Sequence, residues 1–299
     1  MFFHILCDTF YIRIMAIQEA QKGILVIKAS GERELFSREK LLNSLNRSGV
    51  SPDVAEQIAL KIEHGIKNGT YVSEIYRKAF SLLRKFERHI ANRYSLKKAI
   101  MGLGPTGHPF ERLVGKILEA EGFTVQVGQI VQGACVEHEV DVVASKGDRR
   151  IMVECKFHNQ QGIITDVKVA LYIQARFEDI EKKHAIEPNY VQKFHEAWLI
   201  TNTKLTSSAI RYASCAGLKA IGWNYPANRS LQNLIEQSGL HPLTMLTTLT
   251  ELQKQRLLEE GLVLCNEIPK RKDILQKLGI ASARISEIFR EISDLCGRE

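Results

Sequence analysis

The chain has 299 residues, 44% of them hydrophobic and 25% charged, with 41 Lys and Arg against 34 Asp and Glu for a formal net charge of +7. That length suits two or three domains, each with its own core, and that balance argues against a disordered or membrane-embedded protein. Six cysteines without a C-x-x-C pair argue against a zinc cluster and a disulfide scaffold and fit a reducing, cytoplasmic setting, while the basic excess favours a polyanionic partner or simply a solvated surface.

Residues 1 to 22 begin apolar, but His4, Asp8 and Arg13 interrupt the run and no basic segment precedes it, so it is not expected to act as a signal peptide or an anchor. It is expected to be a disordered extension, and Met15 would make an equally natural start. From 23 to 100 a small, mostly helical domain is expected. Ile24 to Lys28 reads as a strand, Ser30-Gly31 as a turn and Glu34 to Phe36 as a return strand, with Ser37 capping a helix that starts at Arg38. Ser51-Pro52 opens a second helix, whose Val54, Ile58, Ile62 and Ile66 recur at i+4 until Asn68-Gly69. Ser73 opens a third, with Ile75, Ala79, Leu82, Leu83, Phe86 and Ile90 on one stripe.

The entry to this domain, VIKASGERELFSREKL from Val26 to Leu41, resembles the start of an ATP-cone, the nucleotide-binding module at the front of many ribonucleotide reductases. Val26, Lys28, Gly31, Glu34, Phe36 and Lys40 match its pattern, and Ala29 stands where the family usually has Arg. The resemblance implies that ATP or dATP binds as a regulator, with Lys28, Glu34 and Lys40 as the cofactor-binding residues. Lys28, Arg33 and Lys40 can supply cations to a triphosphate, and the chain has no Walker-type loop.

Residues 101–107, MGLGPTG, read as a linker, and the second domain is expected over 108–226. Pro109 sits at a helix start, with Phe110, Leu113, Val114, Ile117 and Leu118 on one stripe until Gly122. Phe123 to Val127 is a strand. Val136 to Ala144 and Arg150 to Phe157 then form a hairpin about Gly147-Asp148. A symmetric two-residue turn there places Asp141 opposite Glu154 and Glu139 opposite Lys156, with Ile151, Val153, Cys155 and Phe157 pointing into a core. Two carboxylates roughly 4.5–5.5 Å apart at Cβ destabilise a bare sheet, so a positive charge is required between them. Mg²⁺ held by Asp141 and Glu154 would supply it and leave positions open for a phosphate, and Lys156 would supply part of it.

Asp166 to Ile180 reads as a helix with Val169, Ile173, Phe177 and Ile180 inward, and with Tyr172, Gln174 and Arg176 able to touch DNA. Glu196 to Asn202 and Lys219 to Trp223 are strands joined by a helix over Ser207 to Ala216, a unit whose strands should lie parallel. Residues 227–299 are expected to form a helical C-terminal region for packing or oligomerisation. Leu278-Gly279-Ile280 in it is loosely like a helix-hairpin-helix phosphate clamp.

HEVD (His138 to Asp141) followed by ECK (Glu154 to Lys156) resembles the Mrr-like branch of the PD-(D/E)XK restriction-endonuclease-like nucleases. The resemblance implies an α/β fold with an α-β-β-β-α-β core, metal binding by Asp141 and Glu154, and assistance of the attacking water by Lys156. Glu111 stands where family members add a helical Glu; a first-turn Glu is also favoured there by the helix dipole alone. The expected activity is a metal-dependent DNA endonuclease regulated by nucleotide. The rivals are an inactive nucleotide-responsive DNA-binding regulator and a Holliday-junction resolvase.

Overall fold

In a computed structural model of the chain, residues 23–28, 31–86, 95–160, 162–187 and 193–296 are described. The expected extension over 1–22, the Ala29 departure and the Ile90 end of the third helix lie outside them. The chain divides into two compact units, Met1–Tyr94 and Ser95–Glu299.

The first unit runs β1 (Leu25–Ile27), β2 (Arg33–Leu35), α1 (Arg38–Arg47), α2 (Pro52–Glu63), β3 (Thr70–Tyr71) and α3 (Val72–Phe86). β1 pairs antiparallel with β2 and parallel with β3. The Ser37 side chain accepts the N–H of Lys40 and so caps α1. α2 stops at Glu63, before Asn68-Gly69, although Ile66 beyond it stays buried. A recurring apolar residue marks burial, which a turn outside the helix can provide as well. β3, two residues long, has no periodic signature in the sequence. Val26, Leu45, Ile58, Ile62, Ala79 and Leu83 form the core.

The second unit begins with α4 (Leu96–Met101), α5 (His108–Ala120), β4 (Thr124–Gln132), β5 (Glu137–Lys146) and β6 (Arg149–Lys156). β7 (Ile164–Thr165), α6 (Val167–Ile186), β8 (Glu196–Thr201), β9 (Lys204–Leu205), α7 (Ser207–Ala216) and β10 (Lys219–Ile221) follow. The five-stranded sheet has the order β10-β8-β6-β5-β4. Its hairpin strands β4, β5 and β6 are antiparallel, and β6, β8 and β10 are parallel, each joined to the next through a helix as parallel pairing demands. The expected α-β-β-β-α-β core is therefore present as α5 through β8, extended by α7 and β10. The rest of the chain is α8 (Leu231–Ser238), α9 (Glu251–Glu259), α10 (Lys272–Lys277) and α11 (Ser282–Cys296), with 3₁₀ turns at Leu243–Met245 and Cys265–Arg271.

Two expected boundaries move. Leu96, Ala99, Ile100 and Leu103 are buried in the second unit's core, so α4 belongs there and 101–107 is a turn inside it. Glycine and proline mark where a chain reverses, and reversal between two packed helices has the same composition as a linker. The C-terminal helices likewise do not stand apart. Leu234, Leu257, Ile274 and Ile288 share one core with Phe110 and Leu113 of α5 and with Val142, Ile151, Val153 and Trp198 of the sheet. The other face of the sheet, with Val140, Val143, Met152 and Leu199, is covered by Ile173 and Phe177 of α6 and Ala209 and Ala213 of α7.

Candidate active site at the opening of the hairpin

β5 and β6 leave the two-residue turn in the expected register, paired from Lys146↔Arg149 to Val142↔Val153. There the ladder stops. Oδ2 of Asp141 accepts the main-chain N–H of Cys155 at 2.7 Å, so a carboxylate stands where a paired strand would offer a carbonyl. Beyond this point β6 keeps β8 as its partner, with Glu154↔Leu199 and Lys156↔Thr201, while β5 keeps β4, with Gln129↔Val140 and Ile130↔Glu139. Neither of the expected oppositions, Asp141 to Glu154 and Glu139 to Lys156, is therefore formed as a strand pair. A register extrapolated from a turn holds only as far as the two strands stay together.

Gly128 and Asp141 lie between the paired residues Val127↔Val142 and Gln129↔Val140, and Gly128 has a φ of +63°. Past them the faces exchange: Val142 packs into the core under α5, whereas Val140, two residues away, packs under α6. Glycine adopts this left-handed conformation at little cost, and the change of face it permits turns Asp141 into the opening.

Glu154 is 8% exposed. One of its oxygens, Oε2, lies 2.6 Å from Nη1 of Arg176 on α6; the other, Oε1, is buried without a hydrogen-bond partner. Arg176 also donates to the main-chain oxygen of Glu139, and its guanidinium lies 5.3 Å from the ring centroid of Tyr172. Glu111, in the first turn of α5, is largely buried and places Oε2 3.2 Å from Nδ1 of His108. Lys156 ends β6 two residues after Glu154, on the same side of the strand, and is exposed. Among the described residues, no three His, Cys, Asp or Glu side chains converge as a ready-made metal cage.

The electrostatics follow from burying three carboxylates beside one guanidinium. Burial pushes the Asp141 carboxyl up to about 6, with Glu111 and Glu139 adding repulsion, against the Cys155 N–H and Arg176. Glu154 is pushed up to about 8, by burial first and then by the charges of Asp141 and Glu111. A 2.6 Å ion pair with Arg176 would by itself hold Glu154 ionised; burial and two neighbouring anions outweigh it. Both carboxyls are thus held above the usual carboxylate range, and a cation brought to them would displace bound protons.

The same burial makes stability depend on pH. A carboxyl whose folded pKa exceeds its unfolded value contributes stability that is present below the unfolded pKa and lost as pH rises through the folded one. For Glu154 that window runs from the usual 4.5 to about 8. Without divalent metal, stability should fall between pH 5 and 8 by on the order of 3 kcal/mol. Glu154→Gln should flatten that part of the profile, as measured by urea unfolding in EDTA.

The flanking histidines have other duties. Nε2 of His138 lies 2.8 Å from Oδ2 of Asp179, whose carboxylate also accepts the N–H groups of Cys135 and Val136, and these bonds hold the Asp179 carboxyl well below the usual range. His158 is fixed through its main chain, its N–H donating to Oδ1 of Asn202 and its carbonyl accepting from Nδ2. Burial and the charge of Lys156 push its pKa down. Cys155 packs with Phe110 and Phe157 in the core, and its burial raises its thiol pKa.

Arg176, expected only to be able to touch DNA, is instead buried as the partner of Glu154. The signal was its place three residues after Ile173 and four before Ile180, on the buried stripe of the helix, where a charge requires a partner. In the first unit Oε2 of Glu34 lies 3.1 Å from Nζ of Lys28 and 3.0 Å from Nζ of Lys40, so the three residues expected to meet a nucleotide are brought together.

Comparison with known proteins bears on both parts of the second unit. The family model described as Restriction endonuclease matches residues 105–222, and the one described as AF1548-like, C-terminal, matches residues 241–296. An uncharacterized protein of Archaeoglobus fulgidus is 37% identical over 185 residues, covering 62% of this chain and 100% of its own length. The crystal structure of AF1548, a protein of unknown function, is similar at 35% identity with a TM-score of 0.53, covering 64% of this chain and 99% of that one. The chain therefore belongs to the AF1548-like family and carries a restriction-endonuclease-like domain ahead of its AF1548-like C-terminal region.

Proposed function

We propose that this protein is a metal-dependent DNA endonuclease that hydrolyses phosphodiester bonds. The observation that carries the reading is the pair Asp141 and Glu154. Their raised proton affinities, and a buried Glu154 oxygen without a partner, describe an anionic cup in need of a cation. The match to the restriction-endonuclease family supports it.

The donor set fits Mg²⁺, a hard ion that takes one or two carboxylates, keeps several waters and leaves room for a phosphate. Asp141 and Glu154 would hold it, with the main-chain carbonyl of Cys155 as a further oxygen. Bound there, the ion supplies an activated water and charge stabilisation on the phosphate. Lys156 stands on the same strand face as Glu154 and stabilises developing charge or orients the attacking water. Glu111 acts through its field, raising the demand for positive charge at both carboxylates. Arg176 is a positioning residue for Glu154.

The first unit acts as an ATP-cone-like regulator in this reading. Lys28 and Lys40, both bound to Glu34, are the cations that a triphosphate would recruit. ATP or dATP is expected to raise the thermal midpoint of the full chain, and Lys28→Ala with Lys40→Ala to remove that rise.

A substrate panel of supercoiled, linear, methylated and four-way-junction DNA, in Mg²⁺ or EDTA and with or without ATP and dATP, tests the whole reading. Mg²⁺-dependent cutting supports it, and preference for the junction identifies a resolvase. DNA binding without cutting under every condition would leave the inactive regulator.

A further inference from the structure

The rim formed by the C-terminal ends of the parallel strands extends past Lys156. Thr201 pairs with Lys156 and ends β8, and the three residues after it are held by several independent bonds. The buried Thr165 hydroxyl lies 3.0 Å from Oγ1 of Thr201 and 2.8 Å from Oγ1 of Thr203. Asn202 makes its two bonds to the main chain of His158, at 2.9 and 2.7 Å. Lys204 pairs through its main chain with Ile164 on β7. The carbonyl of Thr203 accepts the N–H of Trp223, just beyond the end of β10, at 2.8 Å. Hence Lys204 rises from a rigid platform in the second unit that also contains Trp223.

A second lysine meets this platform from α4. Nζ of Lys97 lies 5.8 Å from the ring centroid of Trp223. Burial and the charge of Lys204 push its ammonium pKa down, so the two cations feel each other. Neither lysine has a carboxylate partner among the described residues. This contrasts with the opposite end of the sheet, where Arg149 pairs with Glu196 and Arg229 with Glu121. Two like charges gathered on a rigid surface with no internal counter-ion are a receptor for an anion.

We infer that Lys97, set over Trp223, and Lys204, on the strand that follows Thr203, form a phosphate-binding subsite that takes the DNA backbone on one side of the scissile position. The inference rests on the nuclease reading of the neighbouring carboxylates and adds a direction to it. From β6 through β8 to β10 is two strand spacings, roughly 10 Å. Since phosphates on one strand of a duplex advance about 3.4 Å along the axis, the subsite lies within about three nucleotides of the cut. The bound strand thus runs across the sheet ends from Glu154 and Lys156 toward Trp223. Lys97 and Lys204 give affinity and register, and Lys156 remains at the reaction.

The test is binding of a short fluorescein-labelled duplex to the full chain in EDTA over a salt series, followed by plasmid cutting in Mg²⁺. Each phosphate no longer neutralised should reduce the slope of log affinity against log salt by about 0.9, so Lys97→Ala with Lys204→Ala should lower it by nearly two. Affinity near 0.1 M salt should weaken about tenfold or more, while Lys97→Arg with Lys204→Arg should keep the wild-type slope. Lys277→Ala, an exposed lysine on α10, should change neither quantity. A double alanine variant that is folded and binds with wild-type affinity and slope overturns the subsite, even if the wild type cuts DNA. Wild-type binding that depends on both lysines without any cutting in Mg²⁺ supports the subsite and overturns the nuclease reading. No binding by the wild type overturns both.

Discussion

Glu154→Gln is expected to abolish Mg²⁺-dependent cleavage of supercoiled plasmid while removing the fall in stability between pH 5 and 8. The two effects have one origin. The carboxylate at this position is buried, lies among other anions and has one oxygen without a partner, so it burdens the apoprotein and becomes useful only when a cation arrives. The amide keeps the shape, removes the charge and weakens any metal site built on it. Loss of cutting should be at least about 10²-fold, the scale on which single electrostatic groups act in hydrolytic sites. Lys156→Ala should lose cutting on the same scale, with little change in stability because its side chain is exposed. A folded variant with a flattened pH profile and no cutting separates a lost site from a lost fold. A Glu154→Gln protein that nicks plasmid at the wild-type rate would remove this carboxylate from the chemistry.

The second large effect concerns Arg176. Arg176→Ala removes the partner of Glu154, a donor to the Glu139 carbonyl and the cation on Tyr172. Breaking a buried ion pair from one side costs about 3–5 kcal/mol when the remaining group must stay charged. Glu154 can escape by taking a proton, since its pKa already stands at about 8. The destabilisation should therefore be modest at pH 6 and larger above about pH 8.5, and it should go on growing with pH, because Arg176 lowers the Glu154 pKa and the variant holds that proton longer than the wild type. Urea unfolding at both pH values measures it. The double variant Arg176→Ala with Glu154→Gln should recover much of the high-pH loss, because a neutral amide needs no counter-charge. A loss independent of pH and unrelieved by the second substitution would mean that Arg176 contributes through packing alone.

Much of the second unit was legible in the residues because local rules govern it. The Gly147-Asp148 turn set the hairpin register, and alternation along β6 separated Glu154 and Lys156 from Ile151, Val153 and Cys155. The amphipathic stripes of α5 and α6 and the strand-helix-strand unit after them followed from periods of 3.6 and 2. The unit boundary was misplaced for a physical reason as well. A helix such as α4, six residues long, has two possible neighbours, and only the burial of Leu96 and Ile100 shows which one it joined.

The sequence alone determined which residues carry charge at the end of one hairpin: an aspartate on one strand, and a glutamate and a lysine at alternate positions on the next. Periodicity and turn chemistry act over a few residues, so they reach that far and no further. Tertiary structure alone decided that β5 and β6 part after Val142, that Asp141 closes the gap by taking the Cys155 N–H, and that Arg176, 22 residues beyond Glu154, arrives to share its burial. Those outcomes depend on which surfaces are hidden together, and burial sets the proton affinities of the pair; no local pattern contains that information.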